Sequence, residues 1–189
     1  MSTAGIGTIR AALPDFAEDI RRNLELVLEE AESTLEPTQR WGVAVASAVA
    51  ARRPSLLAAV LADARERVPE EVVQDAMAAA AIMAMNVVYY GFLHMVHKEA
   101  YAARLPNLHM HRMARPATSR RDFELFSLAA AAVHGCHPCV VGHEQALTEG
   151  EEGLSTEQVH DAIRIAATLH AAAVSLDAAD AIQTRHPAS

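Results

Sequence analysis

The sequence is short of nearly everything a β-rich or disulfide-built protein needs. Aromatic residues make up 4% of its 189 positions, and glycine and proline occur eight times each. Val and Ile do not fall into alternating runs, so a sandwich or barrel of short strands is excluded. Two cysteines cannot staple a scaffold of this length. Cations are also scarce: 16 Lys and Arg stand against 24 Asp and Glu, for a formal net charge of −8. General electrostatic affinity for nucleic acid is thereby excluded. Residues 1–13 lack the basic start and apolar run of a secretory signal, and the expected location is cytoplasmic. What is abundant is Ala, Leu, Glu and Arg, which favours an all-α protein, read here as a single helical domain over 1–189.

One long hydrophobic run needs a membrane test. Residues 76–96 contain no Asp, Glu, Lys or Arg and are long enough to span a bilayer. The run is diluted with Ala and carries Asn86, Tyr89, Tyr90, Gly91 and His94. It reads as a helix buried in the core or at a subunit interface, not a membrane span.

In chain order, Pro14-Asp15 is expected to open an amphipathic helix, with Phe16, Ile20, Leu24, Val27, Leu28 and Leu35 at helical spacing and Pro37 as its end. A second helix is expected over 41–53 and a third from Pro54 to about Arg67. Pro69-Glu70-Glu71 starts the long uncharged helix, with Gly91 as a candidate break. The stretch 98–118 reads as a crossing. Ser119 with Asp122, and Ser155 with Gln158, resemble capping boxes. The first opens a helix that stops at Gly135, the second a helix to about Ala181, with 183–189 as a tail. Gly150 and Gly153 mark the loop between.

The chain also shows an internal likeness. Arg53-Pro54-Ser55 lines up with His137-Pro138-Cys139, and Val73-Gln74-Asp75-Ala76 with Val159-His160-Asp161-Ala162. This divides the chain into halves of about 14–97 and 119–182 around a crossing at about 98–118, as a duplicated helical unit would.

Chemistry concentrates in His134-Gly135-Cys136-His137-Pro138-Cys139-Val140-Val141-Gly142-His143. Both cysteines of the chain lie here. Gly135 stops one helix and Pro138 fits the first turn of the next. The thiols therefore sit at a helix N-terminus, where unpaired N–H groups stabilise a thiolate. Three readings stand. In a redox dithiol, His143 on the face of Cys139 takes a proton and Glu124 orients its imidazole. In a zinc module without turnover, Cys136, Cys139 and His143 are ligands, with His134, His137 or Glu124 as a fourth. In the third, both cysteines merely pack in a core. Elsewhere, Tyr89, Tyr90, Phe92 and His94 read as packing, His109 and His111 as solvated loop residues, and Arg52-Arg53 and Arg120-Arg121 as surface charges.

Glu124 followed by Cys136-x-x-Cys139 and His143 resembles the Glu…Cys-x-x-Cys-x-x-x-His signature of the AhpD-type alkylhydroperoxidases. Trp41-Gly42, Phe123-Glu124-Leu125 and the segment from Met85-Asn86 to His94 resemble further segments of that family. The resemblance implies an AhpD-like helical bundle assembled as a homotrimer. It implies a thiol-dependent peroxidase, or a relay to the peroxiredoxin AhpC, without a bound cofactor. The electron donor would be the dihydrolipoyl group of dihydrolipoamide succinyltransferase, recharged by dihydrolipoamide dehydrogenase. By position, Cys139 would form the sulfenic acid and the mixed disulfide, and Cys136 would be the resolving thiol. Glu124 and His143 would be the proton relay. Family members often carry histidine immediately before the second cysteine. Pro138 stands there in this chain, and His137 lies one place earlier. The wider family includes carboxymuconolactone decarboxylases, whose chemistry does not call for a cysteine pair.

Overall fold

The computed structural model describes residues 4–28, 33–149 and 153–185. Among them are ten α-helices and no strand: α1 Ala4–Ala12, α2 Glu18–Leu28, α3 Pro37–Ala50, α4 Pro54–Arg65, α5 Glu70–Val96, α6 Glu99–Ala102, α7 His111–Ala114, α8 Arg120–His134, α9 His137–Thr148 and α10 Thr156–Arg185. The all-α expectation is met.

The core is built on α3, α5 and α8, which pack on one another, with α10 laid across α3 and α8. Trp41, Phe123, Phe126, Leu125 and Met83 are almost fully buried there, each worth about 1.5–3 kcal/mol of transfer free energy. The α3–α8 contact is close because Gly42 has no side chain. A Cβ there would sit 2.2 Å from the Phe126 ring. Two helices, Glu70–Val96 and Thr156–Ile182, are long and apolar enough to cross a membrane. Here α5 packs on α3 and α8, and α10 on α2, α3 and α8.

Several expected boundaries move. A helix precedes Pro14, and Pro14 leads only into a 3-10 turn, Asp15–Ala17, before α2. Pro37 does not end a helix. It opens α3, because Glu36 and Gln39 form a capping box around it, and proline is well tolerated in a first turn. The helix expected to reach Leu35 cannot, since Thr34 is turned out to bond Asp161. Gly91 breaks nothing, and α5 runs through it to Val96. The last helix continues to Arg185, past the expected tail boundary. Gly150 and residues 186–189 lie outside the described residues.

Two buried carboxylates tie connecting segments to the helices. Asp75 on α5 accepts hydrogen bonds from Thr118 N at 2.7 Å, Thr118 Oγ at 2.8 Å, and Arg112. Asp161 on α10 accepts from Thr34 N and Oγ, both at 2.8 Å, and from Arg164 at 2.9 Å. Arg53 is not a free surface charge but bridges Asp177 at 2.7 Å and Asp180 at 2.6 Å. The turns after α3 and α8 also match, with Arg52 at φ 59° and Gly135 at φ 69°. Arg53 is the N-cap of α4 as Cys136 is of α9.

Candidate active site

The thiol turn is fixed by the end of α8. Ser119 Oγ accepts from Asp122 N at 3.0 Å and starts that helix. Gly135 ends it in the left-handed conformation, with Gly135 N donating to Ala132 O and Cys136 N to Ala131 O, both at 3.1 Å. This paired closure is a Schellman end, and it fixes the Cys136 backbone. Cys136 is then the N-cap of α9, His137 and Pro138 fill its first turn, and Cys136 O accepts from Val140 N at 2.9 Å. The unpaired N–H groups of that turn face the sulfurs' end of the helix, a setting that stabilises a thiolate.

Cys136 and Cys139 are joined as a disulfide, with Cα atoms 5.3 Å apart. Cys136 is buried and Cys139 half-buried, so an attacking group reaches Cys139 more easily. One turn on, His143 Nδ1 lies 2.6 Å from Glu124 Oε2. The two residues are remote in sequence but meet because α9 folds back over α8. Both side chains are nearly buried, at 13% and 11% exposed, which strengthens their pairing. Arg120 Nε approaches the other Glu124 oxygen at 3.9 Å. The second ring nitrogen of His143 lies 3.2 Å from Met83 Sδ of α5. Sequence reasoning missed Met83. Its only signal is phase: it lies three turns from His94, so both share the α5 face turned to this site.

His137 is exposed, its ring stacked 6.4 Å from His94. His109 and His111 are exposed and stack on each other, 5.2 Å apart. A groove of about 430 Å³ opens on the other flank of Gly135, between α8 and α10, lined by Val133, His134, Ile163, Ala166 and His170 among others. Burial, with Arg52 nearby, holds the His134 imidazole below the ordinary histidine range.

In this disulfide form the zinc reading has no free sulfur ligand. Its two sulfur ligands are bonded to each other and no cysteine is free. Among the described residues no three His, Cys, Asp or Glu side chains are arranged to hold a metal ion.

A helical bundle that presents a two-cysteine disulfide at a helix start, with a carboxylate-paired histidine one turn away, has the groups that thiol–disulfide chemistry uses. The Carboxymuconolactone decarboxylase family profile matches residues 99–184. Alkyl hydroperoxide reductase AhpD of Anaeromyxobacter sp. (strain K) is 59% identical over 176 residues, covering 93% of this chain and 92% of the relative. The protein of that name from Gluconacetobacter diazotrophicus is 43% identical over 184 residues, covering 97% and 98%. Identity at that level over that span places the chain in the AhpD family of alkyl hydroperoxide reductases.

Proposed function

We propose that the chain is a thiol-dependent antioxidant oxidoreductase that reduces hydroperoxides, passes electrons to the peroxiredoxin AhpC, or does both. The observation that carries this is the 2.6 Å Glu124–His143 pair one turn from a disulfide that can open to a dithiol. His143 takes the Cys139 proton, with Glu124 holding the ring. The Cys139 thiolate attacks the terminal peroxide oxygen. The O–O bond breaks and the alkoxide leaves as alcohol, so Cys139 becomes a sulfenic acid. Cys136 displaces water from it to form the disulfide. A dithiol donor, the dihydrolipoyl group of dihydrolipoamide succinyltransferase charged by dihydrolipoamide dehydrogenase, returns two electrons through a mixed disulfide on Cys139. His137, exposed beside that bond, contacts the incoming donor.

The names of the relatives support the peroxide chemistry. Homotrimer formation is supported by one outward face of α5, where Val88, Phe92 and Met95 are 72%, 41% and 76% exposed at i, i+4, i+7 spacing and await a partner. The proposed location is cytoplasmic, where disulfides persist mainly as catalytic ones.

The test is hydroperoxide consumption with dihydrolipoamide as reductant. Wild type turns over and Cys139→Ser does not. Equal rates in the two proteins would overturn the reading. Light scattering should report a trimer, and a monomer at micromolar concentration would remove that part.

A further inference from the structure

In the disulfide state both ring nitrogens of His143 have partners, and neither partner is a cysteine sulfur. Nδ1 meets Glu124 Oε2 at 2.6 Å and Nε2 meets Met83 Sδ at 3.2 Å. Met83 is 1% exposed, so the thioether is fixed by core packing. A thioether has no proton to give and accepts only weakly, and an ionised carboxylate accepts only. A neutral imidazole carries one N–H. It cannot donate to both partners, and its bare nitrogen would then face the lone pairs of the other. Both contacts are satisfied together when Nε2 carries hydrogen and the Glu124–His143 pair holds one proton more than a carboxylate plus a neutral imidazole.

Resting on the dithiol reading above, we infer that Met83 is a positioning residue that parks His143 with a proton on Nε2 while the disulfide is closed. The parked proton serves the reductive half-reaction. An incoming thiolate attacks one sulfur of the disulfide and forms a new S–S bond. The old S–S bond breaks and its electron pair goes to the leaving sulfur. Nε2–H swings off Met83 and delivers its proton there, so the products are a mixed disulfide, a neutral thiol and a neutral imidazole. Charge and atoms balance without a further reactant. The ring, now free of Met83, is the base that the peroxide half-reaction needs. Arg120, 3.9 Å from Glu124, is a charged neighbour of the pair, and α5 brings the uncharged Met83 thioether to the ring, with His94 three turns further along the same face.

The test combines ¹⁵N spectroscopy of the His143 ring with the two half-reactions measured separately. In the wild-type disulfide form at pH 7, Nε2 should give the signal of a protonated nitrogen, and reduction of the disulfide should change it. Met83→Leu preserves core volume and removes the acceptor. It should shift the Nε2 signal of the disulfide form towards the unprotonated position. It should also slow reduction by dihydrolipoamide about five- to tenfold, as for loss of one weak hydrogen bond, and slow single-turnover peroxide reduction less. An unprotonated Nε2 in the wild-type disulfide form overturns the inference. So does a Met83→Leu protein whose ring signal and reduction rate match wild type, or one slowed equally in both half-reactions. If dihydrolipoamide fails to reduce even the wild-type protein, the donor assignment fails, and the wild-type ring signal still decides the role of Met83.

Discussion

Replacing Asp75 should unfasten the crossing from the core while sparing the thiol turn. The carboxylate is fully buried on α5 and holds Thr118 by its N–H at 2.7 Å and its hydroxyl at 2.8 Å, with Arg112 on its other oxygen. In Asp75→Ala the Thr118 N–H and the Arg112 guanidinium lose their acceptor. Each hydrogen bond to a charged group is worth about 1.5–3 kcal/mol. The Arg112 contribution is discounted because that side chain is 42% exposed and water screens it. The two Thr118 bonds then set a loss of about 3–5 kcal/mol. For a domain of this size that is roughly a 6–20 °C fall in Tm. Asp75→Asn keeps one acceptor and should lose less. The assay is urea unfolding at pH 7 with thermal melts, alongside Glu99→Ala, an exposed acid of the crossing with no such role. Stability within about 1 kcal/mol of wild type for Asp75→Ala would refute the reasoning, because surface substitutions already vary by about 0.5 kcal/mol.

Gly42→Ala puts a methyl group into the Phe126 ring and should cost about 1–3 kcal/mol by overpacking, read as a lower urea midpoint at unchanged slope. His134 is held below its unfolded value by burial and by Arg52. The folded chain therefore binds fewer protons there than the unfolded one. Its contribution is complete above about pH 6.5 and is lost as pH falls below that, so His134→Gln should flatten the acid side of the stability profile. Glu124→Gln and His143→Gln should each lower turnover at pH 7, by about 10²–10⁴-fold for the histidine. The double variant should lose no more than His143→Gln alone, since the two residues act as one unit. Higher pH should restore part of each loss, and losses that multiply would exclude the relay.

The parts of this fold that were legible in the sequence are local ones. Ser119 with Asp122, the left-handed Gly135 and Pro138 in a first turn each act within a few residues, so spacing alone places α8, the thiol turn and α9. Pro37 was misread because proline marks both a helix end and a helix start, and only the Glu36–Gln39 box decides between them. Thr34 lies in a stretch with apolar spacing, yet its bond to Asp161 turns it out of the helix. That partner is remote in sequence, and no local signal announces it. Glu124 and His143 could be named from the sequence as a base and its orienting acid, but their contact depends on how α9 folds over α8, which no local spacing states. Met83 was invisible for the same reason: a methionine in an apolar helix looks like core until the helix opposite is known.

The central claim is that Cys136 and Cys139 form a redox couple worked from Cys139, and single-turnover stoichiometry tests it most directly. Fully reduced protein is mixed with a limiting alkyl hydroperoxide, and thiols, peroxide and disulfide-linked peptides are counted together. The account predicts two thiols lost for each hydroperoxide consumed, one intrachain Cys136–Cys139 bond, a sulfenic acid on Cys139 in Cys136→Ser, and no reaction in Cys139→Ser. Peroxide consumption by Cys139→Ser at the wild-type rate, or intermolecular dimers as the main product in dilute wild-type protein, would contradict it.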